Sequence, residues 1–177
     1  AVLSWMTVEW IVKGKPSGLG AASGAVAGLV AITPACGFVG VVGALVIGLV
    51  VSPICFLFVD KIKRAFGYDD SLDVFGVHGV GGIVGALLTG VFVSPALGGT
   101  GVYDYVANKV GDFDMSAQII SQLWAIGTSV VVSGVVSYLA FKIVDLVIGL
   151  RVSEDDEREG LDVTTHGAVS YTHLRAH

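Results

Sequence analysis

Apolar residues run along this chain in long blocks separated by short polar clusters. Residues 16–59 contain no charged side chain, a stretch about twice the ~20 residues a helix needs to cross the hydrocarbon core of a bilayer. Pro34 and Gly37 interrupt that block near its middle, which divides it into two spans, 19–33 and 37–59. A third block free of Asp, Glu, Lys and Arg covers 74–93, and a fourth covers 115–141, long enough to cross with tilt. Residues 1–12 read as the remnant of a truncated first span. The chain opens on Ala1 inside apolar sequence, without an initiator Met or the charged leader of a signal peptide. The pattern predicts the C-terminal part of a longer protein, with transmembrane helices over 1–150 and a polar tail over 151–177.

Composition sharpens that picture. The mean hydropathy is +0.81 and 14% of residues are charged, against roughly 25% in soluble domains. The 25 glycines suit membrane helices, where small residues let backbones approach closely. The net charge is -5, with the acidic residues concentrated in loops and tail. No basic patch offers a surface to nucleic acid. Cys36 and Cys55 are predicted to stand about 28 Å apart along a helix, too far for a disulfide, and read as small packing residues.

The basic residues predict an orientation. If the spans alternate, one side of the membrane receives Lys13, Lys15, Lys61, Lys63, Arg64, Lys142, Arg151, Arg158 and Arg175, and the other only Lys109. The excess of positive charge in cytoplasmic loops then places the tail in the cytoplasm.

The third span, DVFGVHGVGGIVGALLTGVF, carries the candidate chemistry. His78 is its single histidine, with no other ionisable side chain from Val74 up to Tyr103. At 3.6 residues per turn, Val74, Phe75, His78, Gly81, Gly82, Gly85 and Thr89 fall on one stripe. One reading of that stripe is a helix-packing seam with His78 hydrogen-bonded across it. The other is an imidazole facing a narrow, largely dry channel, the default for an ionisable group inside a membrane.

Three strings, LGAASGAVAGLVAITPACGFVG, DVFGVHGVGGIVGALLTGVF and EREGLDVTTHG, resemble the C-terminal half of the ammonium transporter family, the group that includes the Rh proteins. The resemblance runs from about Val8 to Gly167 with the motifs in order. It implies an all-α polytopic membrane bundle, the C-terminal portion of an eleven-helix fold assembled as a homotrimer in the cell membrane. It also implies that His78 is the second of a pair of pore histidines, that Val74 lines the lumen and that Thr33 lies close to the conducted substrate. Asp73 is placed near the cytoplasmic vestibule, with an N-cap of the third span as the equally supported reading. In the tail, Gly160, Asp162, His166 and Gly167 match a regulatory stretch that packs on the cytoplasmic surface. A nitrogen-regulatory protein of the PII type is the implied partner there.

The physical chemistry agrees with that resemblance. Ammonium is costly to carry into low dielectric, whereas neutral ammonia crosses an apolar lumen cheaply. An imidazole can accept the proton that ammonium sheds, because its ordinary pKa of about 6.5 lies near neutrality. Potassium has no proton to give up, so selectivity needs no cage of oxygen ligands. The expected substrates are ammonium or ammonia and methylammonium, with membrane lipid around the bundle and no cofactor or metal. A catalytic role for His78 lacks a second group, since no carboxylate, Ser or Cys recurs at its depth. An ammonium sensor of the same fold and an intramembrane acid/base enzyme are the alternatives. Glu154 to Glu157 read as a solvated face. Residues 169–177 have no family counterpart and read as a cloning or sequencing scar. His173 and His177 at its end lack the supporting groups that orient metal ligands.

Overall fold

The computed structural model describes residues 1–167, so the scar reading of 169–177, together with His173 and His177, lies outside the described residues. The chain forms two compact units, Ala1–Thr128 and Ser129–His177.

In the first unit the helices are α1 (Val2–Lys13), α2 (Gly18–Ile32), α3 (Val41–Leu57), α4 (Lys63–Phe66) and α5 (Val80–Phe92). Ser17 starts α2 by accepting the Gly20 N–H at 2.9 Å, which satisfies one of the amides that a helix start leaves open. At Pro34, which has no N–H to continue the helical ladder, the chain tightens into a 3-10 turn, Thr33–Ala35. Pro53 lies inside α3. The Leu49 carbonyl, one turn before it, accepts the Ser4 hydroxyl at 2.9 Å, a side-chain replacement of the kind that lets proline persist in membrane helices.

Two wide π turns, Phe58–Ile62 and Phe75–Gly79, join α3 to α4 and lead into α5. A two-residue antiparallel ladder, β1 (Tyr103–Asp104) with β2 (Lys109–Val110), pairs Tyr103 with Val110 in the loop before α6 (Met115–Val147). It is a small addition to the all-helical architecture. Among the described residues, four stretches, Gly18–Ala35, Val41–Phe66, Phe75–Phe92 and Met115–Val147, are long and apolar enough to cross a membrane.

The core is centred on α2, which packs on α1, α3 and α5. Trp5, Ala27, Ala31, Ala35, Ile47, Val51, Cys55, Phe56 and Val77 are buried together. Small residues set the helix distances. A methyl added at Gly24 would lie 2.7 Å from Trp5 Cβ, and one at Gly85 would lie 2.7 Å from Ala31 Cα, so these backbones touch directly. Trp5 meets Phe56 edge-on at 5.6 Å, within the range aromatic pairs favour. Both cysteines are free. Cys55 fits the packing role, but Cys36 is exposed, because it follows the 3-10 turn where the chain leaves the bundle.

At one end of the unit two carboxylates, Glu9 and Asp60, are buried against cations whose side chains remain exposed. Glu9, only 5% exposed, accepts the Ser17 N–H at 3.0 Å and the Ser17 hydroxyl at 2.9 Å. Lys13 lies 3.8 Å from Glu9 and 3.5 Å from Asp60, which Arg64 approaches at 2.5 Å. Pairing of this kind is what allows carboxylates into a protein interior. It also explains why helix continues beyond the first charge of the second block and reaches Phe66.

In the second unit, α7 (Glu154–Glu159) begins at Ser153, whose hydroxyl accepts the Asp156 N–H at 3.2 Å. Its acidic first turn suits the positive end of the helix dipole. Arg151 pairs with Glu157 at 2.8 Å and Arg158 with Glu154 at 3.5 Å. The short α8 (Leu161–Thr164) comes next.

Candidate functional site

The residues that orient His78 lie between Lys63 and Val80. After α4 the chain turns at Gly67 and must become helical again by Val74. Asp73 takes φ 57, the left-handed region, which Asp and Asn tolerate better than other non-glycine residues. That turn carries Asp70 over the helix start. Its two carboxylate oxygens accept the N–H groups of Val74 at 2.8 Å and Phe75 at 2.9 Å.

The N-cap expected of Asp73 therefore belongs to Asp70. The Asp73 carboxylate turns aside and accepts from Lys63 Nζ at 2.6 Å, and the same ammonium donates to the Asp70 carbonyl. Lys63 thus ties both ends of the turn to α4. Against it packs an aromatic cluster, with Phe75 edge-on to Phe58 at 6.3 Å and to Tyr68 at 5.9 Å. The Tyr68 hydroxyl is buried and has no hydrogen-bond partner among the described residues.

The π turn then changes which side chains share a face. The Val80 N–H bonds to the Phe75 carbonyl five residues back, and each residue inserted this way rotates the helix beyond it by about 100° relative to a regular helix. Val74, Phe75 and His78 are exposed, while Gly81, Gly85 and Thr89 are buried. The single stripe expected from a constant 3.6-residue period is therefore two faces. The glycines form a seam against Ala31, Val30 and Cys55. His78 is not hydrogen-bonded across that seam: its imidazole has no partner among the described residues.

Thr33, also exposed, opens the 3-10 turn and donates its hydroxyl proton to the Leu29 carbonyl at 2.6 Å. Its turn packs on α5, and α2 packs on the π turn that carries His78. Val74, half exposed, sits one turn before His78. A cavity of about 440 Å³ opens at the far end of α5, between Pro34, Phe38, Thr89, Val93, Gln118 and Gln122. His78 is not among its walls.

In the tail, Gly160 takes φ 106 and Gly167 φ 62, conformations that favour glycine at both ends of the stretch. Asp162 and His166 between them are exposed.

Asp70, Lys63, Tyr68 and Gly76 escaped the sequence reading. The run Asp69, Asp70 and Asp73 does signal a capped helix start, but adjacency favours Asp73. Only the left-handed turn reveals that Asp70 reaches forward past Asp73 to the Val74 and Phe75 amides.

A model of the Ammonium Transporter Family matches residues 1–171. An ammonium transporter of Bacillus subtilis is 43% identical over 96% of this chain and 41% of its own length. One from Aquifex aeolicus is 45% identical over 97% of this chain and 38% of its own. The crystal structure of Candida albicans Mep2 superposes with a TM-score of 0.72 at 31% identity, covering 88% of this chain and 34% of that one. The chain thus spans about two fifths of the length of the curated relatives it matches.

Proposed function

The chain belongs to the ammonium transporter family, with helices long and apolar enough to cross a membrane, and from that premise we propose that the full-length protein conducts ammonia across the cell membrane with His78 relaying the proton. Ammonium loses its proton at the entrance, because carrying the ion into a medium of low dielectric costs on the order of tens of kcal/mol. The proton passes to the neutral imidazole, the ammonia moves on along an apolar path past Val74, and the imidazolium releases the proton onward. Methylammonium fits the same scheme. Thr33 offers a hydroxyl oxygen to the substrate from the 3-10 turn that packs on α5. Potassium fails because it cannot be deprotonated.

The observation that carries this reading is an exposed imidazole that has no partner among the described residues, in a span that holds no Asp, Glu, Lys or Arg. A polar ring left open at that depth is unfavourable unless something meets it. In this proposal the exposed sides at His78, Val74 and Thr33 are closed by the rest of the transporter, which supplies the other wall of the pore. The relatives' names favour transport over an enzymatic role.

Replacing His78 by Ala in the full-length protein, reconstituted in vesicles, is expected to lower ammonium uptake about 10²-fold or more, the usual worth of a positioned acid or base. Unchanged uptake together with unchanged discrimination against potassium would overturn the relay.

Assembly and regulation obey the same family logic. The subunits form a homotrimer with the tail in the cytoplasm, the side to which alternating spans assign most of the basic residues. The stretch Gly160 to Gly167, with Asp162 and His166 exposed, answers to a PII-type protein at the cytoplasmic mouth. Co-purification of a PII protein with the full-length transporter, lost when the residues after Leu150 are removed, is the expected result. No binding to the intact protein sinks it.

A further inference from the structure

We propose that Gly76 is a positioning residue for His78, and that the two π turns together form the clamp that directs the imidazole. The proposal rests on the reading of His78 as a proton relay and adds what holds the ring in place. π turns are uncommon, well under about 1% of residues, yet the described residues hold two, and they pack on each other.

The contact between them is made at Gly76. A methyl built on Gly76 would lie 2.8 Å from Val59 Cγ2, 3.3 Å from the Val59 backbone nitrogen and 3.5 Å from Phe58 Cβ. Val59 belongs to the first π turn, Phe58–Ile62, and its branched side chain is short and stiff, so it cannot swing away as a long side chain would. The next residue, Val77, is buried at 5% exposure, with its carbonyl 4.0 Å from Cys55 Sγ. Residues 76 and 77 are therefore both seated on α3 and its π turn. His78, exposed, is left on the opposite side.

Other contacts hold the same turn from below. Phe75 is gripped between Phe58 and Tyr68, and Asp70 caps the Val74 and Phe75 amides. A larger residue at 76 has to push the second π turn off the first, and the imidazole two residues on moves with it. A displacement of about 1 Å in a reacting group can cost about 10²-fold in rate.

The test uses the full-length protein in vesicles and the ¹⁵N signal of the His78 imidazole, assigned by difference against His78→Ala. Gly76→Ala is expected to stay folded by thermal melting, to shift that signal and to lower uptake about tenfold or more. Val59→Ala combined with Gly76→Ala removes the nearest atom of the clash and is expected to restore most of both. If Gly76→Ala alone does not fold, the double variant carries the test by folding with the wild-type signal. A folded Gly76→Ala with an unchanged signal, or a defect that the second substitution leaves undiminished, overturns the clamp. Unchanged uptake in His78→Ala, with the signal still shifted in Gly76→Ala, overturns the relay instead and leaves the clamp standing.

Discussion

The span that opens at Phe75 and the one that opens at Met115 are both apolar enough to cross a membrane, yet they meet different surroundings. Within the first, α5 buries Val80, Gly81, Gly85, Thr89 and Gly90, whereas α6 buries none of its 33 residues. Hydropathy therefore selects the solvent without selecting the neighbour. What separates the two helices is their small residues. A side-chain atom added at Gly85 meets the Ala31 backbone, while one added at Gly134 in α6 meets nothing within 4 Å among the described residues. Glycine marks a helix–helix contact only where a second backbone comes close enough to need it.

The sharpest way to break that comparison is to place the same side chain in both helices. Gly85→Leu is expected to destabilise the full-length protein by about 3 kcal/mol or more, as overpacking against a fixed backbone does. Gly134→Leu is expected to stay within about 0.5 kcal/mol, the ordinary effect of an exposed substitution. Unfolding in detergent, monitored by thermal melting, reads both. Equal losses would mean that the exposure of α6 conceals a contact of the same kind.

A smaller effect sharpens the comparison at the helix starts, both of which an aspartate caps. Asp70 serves two amides of a turn tied to α4 by Lys63, and Asp114 accepts the Ser116 N–H at 2.8 Å and the Ala117 N–H at 3.1 Å. Asp70→Ala is expected to cost about 1–2 kcal/mol and Asp114→Ala about 0.5–1 kcal/mol, across the range for lost caps. Hydrogen exchange should quicken at Val74 and Phe75 in the first variant and at Ser116 and Ala117 in the second. Faster exchange spreading to Val77 and Val80 only in the first would show that this cap supports the π turn, and exchange confined to two amides in both would remove the distinction.

Much of the fold was legible in the chain. Uncharged blocks, Pro34 and the glycine content point to a helical membrane bundle, because the bilayer demands local satisfaction of every backbone group. Helix limits were less legible. Counting stops at Asp60, but Lys13 and Arg64 neutralise that carboxylate, and both come from elsewhere in the fold or from a turn further on. At the candidate site, His78 stood out as the one ionisable group in its span. The cap did not, since the choice of Asp70 over Asp73 depends on a left-handed φ.

By itself, the sequence determined the solvent, the helical period within each uncharged block and the presence of one imidazole among apolar neighbours, because these depend on side-chain transfer energies and on residues close along the chain. Tertiary structure decided which way that imidazole faces. A constant period puts His78 and Gly85 on one stripe, and the π turn at Phe75–Gly79 separates them. The second π turn seats Gly76 on Val59. The physical reason is that a wide turn trades helical hydrogen-bond geometry for packing, and the packing partner lies seventeen residues earlier in the chain, where no local pattern reports it.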